Sequence, residues 1–437
     1  MQYNSFGSVV FLRIHVVRPG ESIYTIGQFY NVSPQKIIGD NELANPNQLV
    51  VGQTLVILEG TRRHAVVSGE SVYTIARDYR LSMQDIINAN PSLKAPNYSI
   101  YPGQIIIIPP LTINLGRTSV NGYAYPFINL AVLRKTLPYL TYLSIFSYEV
   151  QQDGTLKNID DSTLISEARA ARVAPVMVIT NLSEQGFDSD LAHKILNDQG
   201  TQDTLVNAII ATLKAKNYYG LDVDFENVYP YDRLSYNNFI KRLVNTLSPL
   251  GYKVSAALAP KSSATQTGIL YEAHDYRALG ALLDHVILMT YDWGFIYGPP
   301  MAVAPLNEVR KVLDYAVTEI PPKKILMGIP NYGYDWTLPF VEGTAAKLVT
   351  NAGAPGMAYS VGANIQFDPQ SMAPFFNYYD NNGKQHVVWF EDARSILAKL
   401  TLAHEFNLGG VSYWTINQYF PQNWLVLGSV HQINKVI

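Results

Sequence analysis

The chain has 437 residues, and its 32 Lys and Arg against 35 Asp and Glu give a formal net charge of −3 at pH 7. This near balance excludes the basic surface that binding to nucleic acid or to an anionic membrane requires. Hydrophobic residues make up 48% and charged residues 15%, which excludes an intrinsically disordered chain. Cysteine is absent, so a disulfide framework, a thiolate zinc site and a thiol nucleophile are excluded too. The length predicts roughly three domains.

The first residues do not have the pattern of a signal peptide. Residues 1–8 contain no Lys or Arg, and the apolar run from Val9 to Leu12 ends at Arg13. A secretory signal has a positive first segment and a longer apolar core, so we predict no conventional signal peptide. No stretch of the sequence approaches the roughly 20 apolar residues of a spanning helix, and we expect no membrane span.

The first quarter of the chain contains a duplicated module. An offset of 49 residues aligns two copies at His15, Val17, Gly20, Glu21, Ser22, Tyr24, Thr25, Ile26, Tyr30, Ser33, Gln35, Ile37, Ile38 and Asn41 of the first copy. After a two-residue insertion the copies realign at Gly52-Gln53 and Gly103-Gln104. Ser22 and its counterpart Ser71 can each cap a helix. Each copy is predicted to run strand, helix, helix, strand.

The two copies, at residues 13–58 and 62–109, resemble LysM domains. They share the pattern Val-x-x-Gly-Glu-Ser-x-Tyr-Thr-Ile and end on Val-Gly-Gln or Pro-Gly-Gln. The resemblance implies that each copy binds the N-acetylglucosamine chains of peptidoglycan or chitin. The alternative is that the shared residues only maintain the fold. The grooves that the resemblance implies lie at Pro19 to Tyr24 with Asn47 to Val50, and at Ser68 to Tyr73 with Asn97 to Ile100.

A single large domain is predicted at residues 115–437, after a stiff hinge at Pro109-Pro110. Its apolar, β-rich runs alternate with helical patterns, which predicts an α/β fold, the (β/α)8 TIM barrel. A doubly wound open sheet is the alternative, but the first strand is not followed by a Gly-rich phosphate loop. A long stretch at residues 331–390 predicts a small α+β insertion over the C-terminal face of the barrel. The eight predicted strands are Val120 to Tyr125, Tyr142 to Tyr148, Val173 to Ile179, Gly220 to Phe225, Lys253 to Leu258, His285 to Tyr291, Ile325 to Ile329 and Gly409 to Trp414.

The fourth predicted strand carries three acids in alternation. In a strand, Asp222, Asp224 and Glu226 share one face, while the apolar residues between them share the other. In a barrel the acids would face inward, where unpaired charge is costly, so their presence predicts a site. Crowding raises the pKa of at least one acid, and Glu226, nearest the rim, is the natural proton donor. A divalent-metal site or a structural acid network is the alternative, but a metal would need further oxygen or His ligands from other strands, and Asp292 alone is a thin complement.

The same stretch resembles the signature of glycoside hydrolase family 18, Asp-x-x-Asp-x-Asp-x-Glu, with Tyr219 at the first acidic position. The resemblance implies substrate-assisted retaining hydrolysis, in which the acetamido oxygen of the sugar attacks its own anomeric carbon. Glu226 would protonate the leaving oxygen, Asp224 would orient the acetamido group, and Asp222 would support Asp224. Tyr291, in a segment similar to the Met-x-Tyr-Asp of the family, would hydrogen-bond the acetamido carbonyl. The resemblance also implies that no metal and no organic cofactor is required.

Further candidates for substrate binding follow from the same resemblance. Trp414 ends the eighth strand, where the family places a tryptophan under the reacting sugar, and Tyr123 on the first strand could add to that pocket. The remaining candidates are Met289, Asp292, Asn181, Tyr332, Trp336 and Trp389.

The combination of two LysM-like modules, a family 18 barrel and the segment Pro330 to Trp336 resembles the spore cortex-lytic N-acetylglucosaminidases of endospore-forming bacteria. That resemblance implies a peptidoglycan hydrolase located in the spore coat, the cortex or the cell wall. Two alternatives stay open. One is an enzyme for chitin or chitooligosaccharides, because chitin also presents N-acetylglucosamine, and the other is a catalytically inactive carbohydrate-binding protein.

Overall fold

The computed structural model describes residues 11–59, 62–79, 81–109 and 113–437. Two of the predictions concern, partly or mainly, residues outside these ranges. The predicted lack of a signal peptide concerns mainly residues 1–10, and the predicted hinge includes Pro110; both lie outside the described residues. Among the described residues, no helix combines the length and hydropathy that crossing a bilayer requires.

Eight parallel strands form the closed barrel that the sequence predicts. Each strand pairs with the next in chain order, and the eighth pairs with the first through Gly410 opposite Ser119. A short terminal strand, Gln432–Ile433, also pairs with the first barrel strand. The barrel strands are Arg117–Ala124, Tyr142–Glu149, Ala174–Thr180, Gly220–Asp224, Lys253–Leu258, His285–Leu288, Ile325–Pro330 and Gly410–Trp414.

Helices surround the barrel and bury its outer face. Leu221, Val223 and Phe225 of the fourth strand belong to this outer hydrophobic cluster, which includes apolar residues from most of the helices. The α-helices are Leu130–Thr136, Ser162–Ala170, Ser189–Asn197, Gln199–Lys216, Arg233–Leu247, Tyr276–Leu282, Leu306–Glu319, Ala393–Glu405 and Pro421–Val430. Single 3-10 turns lie at Leu137–Tyr139, Pro230–Asp232, Ser248–Leu250 and Pro322–Lys324, and a small hairpin pairs Leu182–Ser183 with Gly186–Phe187.

The predicted insertion is a five-stranded antiparallel sheet with one helix, Ala354–Ser360. It follows the seventh barrel strand and precedes the helix Ala393–Glu405. Its strands are Gly333–Leu338, Lys347–Val349, Gln366–Asp368, Ala373–Tyr379 and Gln385–Trp389.

The two N-terminal repeats have the same internal construction. The first consists of strands Phe11–Val16 and Thr54–Glu59 around helices Ile23–Tyr30 and Pro34–Asp40. The second consists of strands Arg62–Ala65 and Ile105–Ile108 around helices Val72–Asp78 and Met83–Ala89. In both repeats the serine predicted to cap the first helix does so, and its own backbone N–H donates in return to the hydroxyl of the threonine three residues later. A buried asparagine, Asn41 or Asn90, ties the second helix to the last strand.

Candidate active site

The acids of the fourth strand point into the barrel, opposite to the apolar residues between them. Asp222 is fully buried and hydrogen-bonded on both oxygens, by the Tyr123 hydroxyl at 2.6 Å and by the Ser255 hydroxyl at 2.6 Å. Burial raises the pKa of Asp222, and these two hydrogen bonds oppose the rise. Tyr123 thus spans the barrel interior from the first strand to the fourth and orients the innermost acid.

Asp224, the middle acid, differs from Asp222 in its hydrogen bonding. It is buried, and among the described residues its Oδ1 atom has no hydrogen-bond partner. Burial raises the pKa of Asp224 well above its usual value, and the charges of Glu226 and Asp222 raise it further. A buried polar atom without a partner is costly, so an oxygen left free at the base of a cleft is an acceptor or donor kept for a ligand.

Glu226 lies just beyond the end of the fourth strand, at the carboxyl-end face of the barrel. Burial, with the charge of Asp292 as the second cause, raises the pKa of Glu226 to about 7. A carboxyl group with a pKa near neutrality keeps a substantial share of its proton at physiological pH, which is what a general acid requires. The prediction that one acid of this strand would be a proton donor therefore has an electrostatic basis in the structure.

The sixth strand brings a second set of polar groups to the same face. The strand ends at Leu288, earlier than predicted, so Met289, Tyr291 and Asp292 stand on the loop that follows. The Tyr332 hydroxyl donates to Asp292 Oδ1 at 2.6 Å. Burial by the cleft walls raises the pKa of Asp292 to about 6, against the effect of that hydrogen bond. Burial and the nearby carboxylates raise the pKa of Tyr291, which keeps it a hydrogen-bond donor.

A glycine makes room for the ring of Tyr291. A Cβ atom on Gly328 of the seventh strand would lie 2.7 Å from Cε1 of Tyr291 and 2.5 Å from the carbonyl oxygen of Leu288. Both distances are shorter than van der Waals contact, so the seventh strand needs glycine beside the catalytic face.

Aromatic rings form the floor beside the acids. The ring of Trp414 lies edge-on to Tyr123, Tyr125 and Phe146, with centroid distances of 5.3, 6.0 and 4.8 Å. Edge-to-face packing of this kind fixes the indole while leaving one surface for a ligand. Trp414 is only partly buried and lines the cleft, as predicted from its position at the end of the eighth strand.

These groups surround a cleft of about 390 Å³. The predicted residues that line this cleft are Tyr123, Asp224, Glu226, Met289, Tyr291, Asp292 and Trp414. Asp222 supports them from below through Tyr123. The sequence analysis missed several residues that line the cleft, of which the most distinctive are Phe187, Gln266, Tyr271, Trp293 and Lys311. Trp293 directly follows the Met-Thr-Tyr-Asp segment, and that adjacency was the one signal available for it.

Three predicted cleft residues have other places in the structure. Asn181 is fully buried behind the acid, where its side chain bonds the backbone N–H and carbonyl of Glu226 at 3.0 and 2.9 Å. Trp336 is buried in the insertion, and its indole N–H donates to the carbonyl of Gly298 at 2.9 Å. Trp389 stacks on Phe375 within the insertion. Tyr332 reaches the cleft only through its bond to Asp292. Asn181, Trp336 and Trp389 therefore do not line this cleft, although the sequence analysis places them there.

The described residues include no group of three or more His, Asp or Glu side chains arranged to hold a metal ion. The three acids of the fourth strand are instead bonded to hydroxyl groups or left free, as described above. The chemistry available at the face is that of a proton donor, neighbouring carboxyl groups, a tyrosine hydroxyl and an aromatic floor. A closed parallel barrel with this set at its carboxyl-end face has the features of a glycoside hydrolase.

Comparison with known families supports this class. The model of glycosyl hydrolases family 18 matches residues 123–418, and the LysM domain model matches residues 15–58 and 64–109. The chain belongs to glycosyl hydrolases family 18, and it is a glycosidase with two LysM domains.

Similar proteins match all or most of the chain. It is 43% identical to the cortical fragment-lytic enzyme of Bacillus subtilis, covering 97% of this chain and 99% of that protein. The crystal structure of the spore cortex-lytic enzyme SleL of Bacillus megaterium superposes with a TM-score of 0.87 at 39% identity, covering 99% and 100% of the two chains. A chitinase from Chromobacterium violaceum superposes with a TM-score of 0.67 at 26% identity, covering 71% of this chain and 98% of that one.

Proposed function

We propose that this protein hydrolyses the N-acetylglucosaminyl linkages of spore cortex peptidoglycan and acts in the cortex or cell wall. Similarity to cortical fragment-lytic enzymes along 97% of the chain, with both repeats included, supports the substrate. The observation that carries the reaction is Glu226, a carboxyl group with a pKa of about 7 in a cleft with an aromatic floor. The two LysM domains bind N-acetylglucosamine-containing glycan and hold the barrel on its polymer.

The proposed mechanism assigns each polar group of the cleft a step. Glu226 donates its proton to the glycosidic oxygen, and the acetamido oxygen of the bound sugar attacks the anomeric carbon as the leaving group departs. The free oxygen of Asp224 receives the acetamido N–H and stabilises the positive charge that develops there. Tyr291 donates a hydrogen bond to the acetamido oxygen. Water then opens the cyclic intermediate, and Glu226, now ionised, takes a proton from that water.

Asp222 acts through Asp224. Its hydrogen bonds from Tyr123 and Ser255 hold it in place below Asp224. Two carboxyl groups this close do not ionise independently, so a proton on Asp222 allows Asp224 to carry the charge that the intermediate needs.

The decisive experiment compares the wild type with Glu226→Gln on purified spore cortex and on N-acetylchitooligosaccharides. Removing the proton donor should lower kcat on the order of 10³-fold, while binding to cortex is retained. Glu405→Gln, the same change on an exposed residue at the end of a surface helix, is the matched control and should keep wild-type activity. The measurement is the release of reducing ends. Hydrolysis of the chitin fragments alone would identify a chitinase, and a wild type that binds but cleaves neither would identify a carbohydrate-binding protein.

The same variant should change the pH dependence of stability. The pKa of Glu226 rises from 4.5 to about 7 on folding, so its contribution to stability is full below pH 4.5 and is lost as the pH rises through 7. Between pH 4 and pH 8 the wild type should therefore lose more unfolding free energy than Glu226→Gln, by an amount on the order of a few kcal/mol. The substitution also removes the charge that helps to raise the pKa of Asp224, and this acts in the same direction. Urea unfolding at the two pH values measures this difference. A difference that does not change with pH would contradict the raised pKa.

A further inference from the structure

A buried histidine joins the ends of the fourth and fifth barrel strands. His274 is 1% exposed, and its Nδ1 atom accepts the backbone N–H of Ala259 at 2.8 Å. Its Nε2 atom lies 3.1 Å from the carbonyl oxygen of Phe225, the residue before Glu226. Since Nδ1 accepts a hydrogen bond, the proton of the ring is on Nε2 and is donated to Phe225.

The imidazole ring lies just beyond the last paired residues of these two strands. The last paired residues of the two strands are Val223 and Ala256, so Phe225 and Ala259 lie beyond the ladder. A peptide carbonyl and a peptide N–H buried at that point would have no partner without the side chain. The imidazole ring of His274 lies between the ends of the two strands and forms a hydrogen bond with each of these groups.

The surroundings of His274 keep it neutral. Burial lowers its pKa to about 4, the bond to Phe225 opposes this shift, and the charge of Lys261 adds to it. The Lys261 ammonium group donates to the backbone carbonyl of His274 at 3.1 Å, and the ring of Tyr236 packs at a centroid distance of 5.8 Å. The neutral tautomer that bridges the two strands therefore persists at pH values well above 4.

A second bridge holds the same peptide from the other side. Asn181 follows the third strand and bonds both the N–H and the carbonyl of Glu226, and its amide also donates to the carbonyl of Asp188 at 3.0 Å. The chain at Phe225 and Glu226 is thus fixed by an imidazole toward the fifth strand and by an amide toward the third.

We propose that His274 is a positioning residue for Glu226, acting with Asn181 to fix the backbone from which the proton donor projects. This inference rests on the proposed role of Glu226 as general acid. A displacement of an acid by about 1 Å can cost on the order of 100-fold in rate, and a backbone bond one residue away controls displacements of that size. His274 touches no substrate, and its effect passes through the Phe225 carbonyl.

Two substitutions separate the two bonds of the ring. In His274→Gln the amide nitrogen takes the place of Nε2, which preserves the donor to Phe225. In His274→Asn the amide oxygen takes the place of Nδ1, which preserves the acceptor for Ala259 and removes the donor to Phe225. On cortex fragments, we expect His274→Asn to lower kcat about 10- to 100-fold with little change in KM. The variant should also shift the pH limb, which is the limb of the pH–rate profile that reports the ionisation of Glu226. His274→Gln should keep most of the wild-type kcat and a pH limb close to that of the wild type.

His285 provides a matched control. It also has a pKa that burial lowers to about 4, but it begins the sixth strand, at the opposite end of the barrel from the cleft. His285→Asn should lower the unfolding temperature without changing kcat or the pH limb. If His274→Asn also lowers only the unfolding temperature, its role is structural and the inference is overturned.

The two proposals fail in different ways. Wild-type activity in Glu226→Gln, or an inactive wild type, would overturn the proposed function and this inference with it. An active wild type, an inactive Glu226→Gln and a wild-type kcat and pH limb in His274→Asn would overturn this inference alone.

Discussion

The two LysM repeats share one internal design but differ in what their outer faces contact. Leu12 and Val56 of the first repeat belong to the hydrophobic cluster of the barrel, and Val50 belongs to that of the insertion. The cluster of the second repeat, among the described residues, consists of its own side chains. Val50 is 5% exposed, whereas Tyr101, its counterpart in the second repeat, is 68% exposed.

Polar contacts follow the same division. Gln422, at the start of the last barrel helix, bonds the hydroxyl and the carbonyl of Thr54 at 2.8 and 2.6 Å. The N–H of Ile365 in the insertion donates to the carbonyl of Val51 at 2.9 Å. Ile105, the counterpart of Thr54, is 45% exposed. Capping residues and inward-facing residues thus specify the module, while a few outward-facing positions determine whether it packs against the rest of the chain.

The largest expected difference between the repeats is at a pair of equivalent glycines. A Cβ atom on Gly52 would lie 1.8 Å from the carbonyl oxygen of Ile365, and the φ angle of Gly52 is +89°. Gly103 has a φ angle of +85° but no atom within 4 Å of such a Cβ. Gly52→Ala should therefore cost about 3 kcal/mol or more, and Gly103→Ala about 1–2 kcal/mol from backbone strain alone.

Thermal unfolding of the two alanine variants measures the loss of stability in each, and hydrogen exchange shows which part of the molecule is destabilised. Gly52→Ala should increase exchange along the contact between the first repeat and the insertion. Equal losses in the two variants would mean that the docked arrangement adds nothing to the stability of the first repeat.

A smaller difference is expected at Val50 and Tyr101. Val50→Ala removes two methyl groups from a buried cluster, and we expect a loss of about 2 kcal/mol in the free energy of unfolding. Tyr101→Ala changes an exposed side chain and should stay within about 0.5 kcal/mol of the wild type. Urea unfolding curves give both values. A loss at Tyr101 as large as at Val50 would show that the second repeat is also packed against a partner.

The smallest effect is expected at an ion pair across the docked face. Lys135 of the barrel lies 2.8 Å from Glu42 of the first repeat, and both side chains are exposed. Exposed ion pairs contribute little, so Lys135→Ala should change the unfolding free energy by less than about 1 kcal/mol, and salt should reduce even that. A larger effect, measured at low and high salt, would mean that electrostatic interactions stabilise the docked first repeat more than expected and that apolar contacts stabilise it less.

The sequence allowed most of the fold to be predicted, because its signals are local. Alternating apolar and acidic residues defined the fourth strand, and the repeat offset defined two modules with their helix caps. Strand ends were less accurate: the sixth strand stops at Leu288, three residues before the predicted Tyr291. The loop that follows includes Asp292 in a left-handed conformation, with a φ angle of +64°, and such a conformation has no periodic signal.

Site residues within the strand pattern were easier to identify than those outside it. The direction of Asp222 and Asp224 follows from strand alternation, whereas the places of Asn181 and Trp336 depend on which neighbouring backbone they bond. A polar residue after a strand serves equally well as a ligand for substrate or as a brace for another loop. His274 was missed for the same reason, since its partners Phe225 and Ala259 belong to different strands.

The docked face of the first repeat also determines how the molecule can be divided into fragments. The family 18 match begins at residue 123, but the apolar cluster of the barrel extends to Leu12 and Val56. A fragment containing the barrel alone would expose the surfaces around Gln422 and Ile365 to water, and an apolar surface uncovered in this way promotes aggregation. A soluble catalytic fragment should therefore carry residues 11–59 with the barrel, even though they contribute no group to the cleft.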